Sequence, residues 1–256
     1  MLQFAGDERE RVSLAGRFRD AMTAETDDGS DDVHLLPDRL SRAAARVLEA
    51  DGAGLSLGTA EDRRLPLGAS SPHAGLAEEA QFTVGSGPCL LALTTSRPVF
   101  VVEQDIRRRW PAFAERLLAD TPYRGAVSLP LRSPLTGDGA LDIFFCDPAD
   151  VPRLDVFDAV AVGDLVTAAL EDAAVLSTWS EIAGPDWLRS PAAQRRSTVW
   201  TAVGRMCTAL NVGAPDALAL LRRHAVAGGR SVDAVADDVV SGRLLPADVV
   251  AQRDRG

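Results

Sequence analysis

Lysine is missing from this 256-residue chain: all 27 basic residues are arginine, set against 37 Asp and Glu for a formal net charge of -10. An all-arginine basic set reads as codon bias toward a GC-rich genome, and no function is drawn from it. Cysteine is scarce. Cys89, Cys146 and Cys207 lie far apart with no Cys-x-x-Cys pair, which argues against a disulfide framework and against a zinc cluster. His34, His73 and His224 share no metal-ligand spacing, so no metal is expected, and no motif assigns a cofactor. Long apolar runs are also wanting. No segment approaches the ~18 uninterrupted apolar residues of a membrane helix, and the opening MLQFAGDERERVSLAGRF carries acids where a secretory signal needs a basic start. These absences together lead us to expect a reduced, cytoplasmic protein with no membrane partner.

What is present is ordinary globular material, 46% apolar and 25% charged, in a length that favours two units. The charge is unevenly divided between them. Arg195 to Gly256 holds nine Arg against six Asp and no Glu, a balance of +3, whereas residues 1–194 hold 18 Arg against 31 acids, a balance of -13. A mildly basic tail on an acidic body permits contact with nucleic acid through the tail, while the body repels a polyanion.

Along the chain, residues 1–33 include the acidic run TAETDDGSDD and read as a partly ordered arm. LLPDRLSRAAARVLEA, from Leu35, spaces its apolar residues as a helix with Pro37 early, where a missing N–H costs little. Five strand-like runs follow: AGLSLG, RLPLGAS, PVFVVE, GAVSLPLR and GALDIFFCD, interleaved with helical stretches around GLAEEA, GPCLLALTTS and RWPAFAERLLAD. Hairpin-length gaps near 58–63 and 133–138 imply a mostly antiparallel sheet with helices packed beside it, an α+β unit over 34–153. Residues 154–190 read as a linker helix. There Ala159, Val162, Val166, Ala169, Ala173 and Leu176 step by three and four, either as the seam of a short coiled coil between two chains or as a stripe packed on the preceding sheet. Gly184, Pro185 and Pro191 break the pattern, and 191–256 reads as three helices ending near Asn211, at Gly228 and before Gly242.

Few motifs suggest chemistry. VGSGPCLLAL (84–93) is glycine-rich and opens a helix, but it lacks the Lys-Ser/Thr pair of a phosphate loop. Cys89 falls in the first turn of that helix, where the positive helix end favours a thiolate; with no His or second Cys near in sequence, an apolar packing role is preferred. DIRRRWPAF (105–113) sets three Arg beside Trp110 in the acidic body, which suits surface ion pairing better than nucleic acid. No set of carboxylates, His or Cys forms a catalytic constellation, so no catalytic residue is assigned and the protein is not expected to be an enzyme.

Two resemblances stand on longer stretches. Residues from about Arg39 to Pro148, through GSGPCLLAL, RPVFV, RWPAF and AVSLPLR...GALDIF, resemble a GAF domain of actinobacterial regulators. Residues from about Val199 to Val240 resemble an ANTAR domain, with Ala202 and Gly204 on the first helix, Ala217, Leu221, Arg222 and Ala225 on the second, and Val235 and Ala236 on the third. GAF followed by ANTAR is a known pairing. It implies a sensor governing a helical output unit that binds paired RNA stem-loops to prevent transcription termination, usually as a homodimer, in response to an unknown small-molecule signal. If the sensor holds a ligand, Cys89, Trp110 and Phe113 are the pocket candidates. The family's first ANTAR helix usually carries a basic residue between its Ala and Gly; here that place is Val203.

The residues support an RNA contact on their own terms. Ala217, Leu218, Leu221 and Ala225 form a core stripe that leaves Arg222 and Arg223 outside it. Unpaired bases need phosphate contacts and flat groups to stack on, which arginine and His224 both supply. The expected RNA-contact set is therefore Arg196, Arg205, Arg222, Arg223, His224 and Arg230. The competing expectation is a small-molecule or redox-sensing GAF protein, enzymatic through Cys89, whose helical tail only dimerises or binds DNA.

Overall fold

A computed structural model describes residues 13–24, 35–59, 63–176 and 189–251. The five expected strands are all present: β1 (Gly52–Thr59), β2 (Arg63–Ala69), β3 (Val99–Val102), β4 (Gly125–Leu131) and β5 (Gly139–Phe145). They form one sheet in the order β2-β1-β5-β4-β3, and every neighbouring pair is antiparallel. The fold is α+β, as the hairpin-length gaps implied. Helices cover both faces: α1 (Leu14–Ala24), α2 (Leu36–Val47) and α7 (Val156–Leu176) on one, α3 (Pro72–Val84), α4 (Pro88–Thr95), α5 (Glu103–Arg109) and α6 (Pro111–Asp120) on the other.

Strand alternation decides what each face contains. Leu55, Leu57, Val127, Leu129, Leu141 and Ile143 point to the α2/α7 face and build the larger apolar core. Their in-between neighbours point the other way and split into two kinds. Ala126 and Phe144 join an apolar cluster with Phe113, Ile106 and Leu117, where Phe144 stacks on Tyr123 at 5.0 Å between ring centroids. Ser56, Arg64, Ser128 and Asp142 instead form a buried polar stripe.

Two expectations are sharpened on the first face. The arm contains a helix, α1, whose Phe18 and Ala21 are buried against α2 and α7; residues 25–34, with the acidic run and His34, lie outside the described set. The stripe of α7 is the second. Ala159, Val162 and Val166 are buried on the sheet, Ala169 and Ala173 are half-buried beside them, and Leu176 is 84% exposed. Of the two readings of the stripe, packing on the chain's own sheet is the one this arrangement shows for those residues, because an apolar sheet face would otherwise lie open to water.

The last unit is helical: α8 (Pro191–Leu210), α9 (Ala214–Ala227), α10 (Val232–Ser241) and a short α11 (Pro246–Ala251) that the three-helix expectation lacked. Its ends are where the sequence put them. Ser231 caps α10 by accepting a hydrogen bond from Ala234 N at 3.2 Å, and Asn211 closes α8 in the left-handed region at φ 54. No helix among the described residues is long and apolar enough to cross a membrane.

Truncating the α7 stripe tests its intramolecular role. Val162→Ala and Val166→Ala are each expected to cost about 1–3 kcal/mol in urea unfolding while leaving the molar mass measured by light scattering unchanged.

Candidate functional site

The polar stripe of the α+β unit is organised around one side chain. Arg64 enters from β2 and its Nη2 donates to Ser56 Oγ at 3.0 Å and to Glu78 Oε2 at 2.8 Å, with Asp142 Oδ2 at 3.9 Å. Glu78 comes from α3, which can approach β1 because Gly54 lies opposite; a Cβ there would stand 2.6 Å from Glu78 Oε1. One turn on, Gln81 donates from Nε2 to Asp142 Oδ2 at 2.9 Å and accepts from Cys89 N at 3.0 Å, tying α4 to the same cluster. Arg64 Nε and Nη1, Glu78 Oε1, Asp142 Oδ1 and Ser128 Oγ are enclosed without a hydrogen-bond partner among the described residues.

Burial governs the ionisation of this cluster. It pushes the Glu78 carboxyl well above the usual range, helped by the charge of Asp142 and opposed by Arg64. It also pushes the Cys89 thiol well up, despite the neighbouring Arg64 guanidinium. A fully enclosed thiol held protonated is a poor nucleophile, so the helix-end activation considered for Cys89 does not operate in this arrangement. Of the three pocket candidates, two share a neighbourhood: Phe113 on α6 is buried in the apolar cluster, and Trp110 is half-buried against that cluster with Arg109 stacked 4.4 Å from its ring, whereas Cys89 belongs to the polar cluster with its Sγ 3.8 Å from Ser56 Oγ.

In the helical unit, Ala202, Ala217, Leu221, Ala225, Val235 and Ala236 are all buried in one core, whereas Gly204 is exposed. Val203 is buried in that core too, so the position that departs from the family pattern faces inward here. The six residues expected to meet RNA are distributed unequally. Arg223 is exposed. Arg205 is exposed and donates to the carbonyls of Val239 and Val240, at 3.2 and 2.6 Å, closing the end of α10. Arg230 pairs with Asp238 at 2.6 Å. His224 is half-buried, its Nδ1 enclosed without a hydrogen-bond partner among the described residues.

Arg196 and Arg222 face the α+β unit instead. Arg196 is only 3% exposed, bonded to Asp233 at 2.9 Å, with its guanidinium carbon 3.4 Å from the Phe82 ring centroid. Burial lowers its pKa to about 10 against the pull of Asp233. An open basic patch that includes Arg196 is therefore not what this arrangement presents. Arg222 Nε donates to the Phe82 carbonyl at 2.9 Å, and its guanidinium lies 4.9 Å from the same ring. Thr83 Oγ1 accepts from Val232 N at 3.1 Å, and Arg116 donates to the Arg230 carbonyl. Beside this contact a cavity of about 260 Å³ opens between the units, lined in part by Asp38, Glu79, Arg195, Arg196 and Asp233.

The residues that the sequence assigned to no site are Arg64, Glu78, Gln81 and Asp142 in the α+β unit, and Phe82 and Thr83 at the contact; the Glu78-Glu79 pair reads from sequence as a solvated face, yet Glu78 is buried. One signal was present. GALDIFF and GAVSLPL each set a polar residue inside a strand that is otherwise apolar on both faces, which marks a buried polar partner on the far side.

Two measurements test the cluster. Arg64→Met leaves Glu78 and Asp142 facing each other without a cation and is expected to cost about 3–5 kcal/mol of stability at neutral pH. Glu78 retains its proton in the folded chain at pH values where an unfolded glutamate has lost it. The folded chain therefore binds more protons in that window, and stability falls as pH rises above the unfolded value. Glu78→Gln is expected to flatten that decline in urea midpoints taken from about pH 5 to about pH 8.

No protein-family model matches the chain, and no curated protein matches it. Solved structures do. The chain is similar to the GAF domain from a phosphoenolpyruvate-protein phosphotransferase of Coxiella burnetii, at 15% identity and TM-score 0.42 over 63% of this chain and 96% of that one. It is similar to the GAF domain of the corresponding Acinetobacter protein at 14% identity and TM-score 0.42, over 63% and 97%. It is also similar to the phycocyanobilin-bound GAF domain from a cyanobacterial phytochrome, at 13% identity and TM-score 0.39, over 64% and 96%.

Proposed function

We propose that the chain is a signal-responsive regulator, not an enzyme, in which a GAF-type sensor governs an ANTAR-type helical unit that binds RNA stem-loops and promotes transcription antitermination. The observation that carries this reading is the sorting of residues in α9. Ala217, Leu218, Leu221 and Ala225 are buried, while Arg223 is exposed next to Arg222 and His224. This is the division between a packing face and a phosphate-binding, base-stacking face that an RNA-binding helix needs. The local charge supports it, since the tail from Arg195 carries +3 on a chain of -10.

Pairing of two copies, which would present two helical units to twin stem-loops, falls to the side of α7 that the sheet leaves uncovered. Phe157 is 81% exposed there, with Val160 on the same face and Val175 near the far end. A second copy of this chain is the occupant that fits the twin-hairpin reading, and a monomeric mass at micromolar concentration in the presence of RNA would count against it.

The site is tested with a twin-hairpin RNA, measured as a function of salt because phosphate contacts dominate affinity. Arg223→Ala is expected to weaken binding and to reduce the salt slope by about 1, with the circular dichroism spectrum unchanged. Equal affinity for wild type and Arg223→Ala would remove α9 from the contact, and tighter binding to duplex DNA of similar length would replace RNA by DNA as the target.

A further inference from the structure

The contact between sensor and helical unit is made by a residue that belongs to one by sequence and to the other by packing. Phe82 lies on the sensor helix α3, yet its side chain, 2% exposed, is part of the apolar core of the helical unit with Val199, Ala202 and Met206. Trp200 meets its edge at 6.3 Å between ring centroids. Arg196 and Arg222 both address its ring, at 3.4 and 4.9 Å, and its carbonyl takes the hydrogen bond from Arg222 Nε. An aromatic ring held by two guanidiniums, with an acceptor oxygen attached, is what an unpaired nucleobase and its backbone would offer the same two arginines.

We infer that Phe82 is an internal stand-in for a nucleobase, and that the docked arrangement is the closed, RNA-excluding state of the chain. The inference rests on the RNA reading above and adds the regulation of that site. Two cations that would otherwise meet RNA are engaged by the sensor, and the face of the Arg196 guanidinium is taken by the ring while Phe82 is seated. Three further features hold the ring in place. Thr83 Oγ1 takes the otherwise unpaired Val232 N–H at the start of α10, and Arg116 from α6 donates to the Arg230 carbonyl. Gly85, left-handed at φ 73, lets the Arg222 guanidinium approach α3; a Cβ there would lie 3.0 Å from Arg222 Nη1.

The same helix links this clasp to the buried sensor cluster. Glu78 and Gln81 on α3 hold Arg64, Asp142 and Cys89, and Phe82 follows Gln81 directly. A shift of α3 that loosens the Arg64 pair also withdraws Phe82 from the helical unit, so opening frees Arg196 and Arg222 together.

The test uses the full chain and fluorescence anisotropy of a labelled twin-hairpin RNA. Phe82→Ala is expected to bind at least about tenfold more tightly than wild type, within the range of couplings between two sites. Thr83→Val keeps the shape, removes one hydrogen bond across the contact and leaves the helical unit's own residues intact; it is expected to give a smaller gain in the same direction. In Phe82→Ala/Arg222→Ala the gain is lost. Wild type binding RNA as tightly as both Phe82→Ala and Thr83→Val overturns the clasp and leaves the RNA reading standing. No binding by any of the chains, each folded by circular dichroism, overturns both.

Discussion

A guanidinium cannot be taken out of water between a sheet and a helix unless anions and acceptors meet it there. Arg64 is placed in that situation, and the arrangement of the inner sheet face follows from the need to compensate it. Asp142 stands across β1 from it, Glu78 and Gln81 are delivered by α3, and Ser56 supplies a hydroxyl. Because the partners lie on three separate elements, the cluster fixes the position of α3 against the sheet more strictly than apolar contact does, since charges tolerate displacement far less than methyl groups. The end of α3 then determines where the helical unit sits.

Viewed this way, the two sheet faces have different tasks. The face under α2 and α7 is an apolar core whose order comes from leucine and valine packing, and it draws in α1 and the α7 stripe as cover. The other face places the charged cluster and the aromatic cluster side by side. A substitution on the first face changes how firmly the unit holds together, whereas one on the second changes where α3 points.

Much of the fold was legible because it is encoded locally. The five strands, the caps at Ser231 and Asn211, and the span of α9 follow from alternation, capping chemistry and periodicity over a few residues. The candidate site was legible only in part. Arg223 outside and Leu221 inside follow from the helical repeat, but nothing local says that Arg196 and Arg222 will find Phe82, more than a hundred residues away in sequence. The α7 stripe shows the same limit from the other side. A three-and-four spacing states that Val162 and Val166 are buried, and does not state whether a second chain or the chain's own sheet buries them.

Phe82 also bears on how such a protein can be rebuilt. Fusions of one domain to another assume that each brings its own complete core. Here the helical core borrows a ring from α3 of the α+β unit, so an exchange of that unit that omits an aromatic residue at this point would leave a hole in the helical one. The smallest transferable piece is the helical unit together with the end of α3, and the boundary between the modules runs through that core and not through the linker.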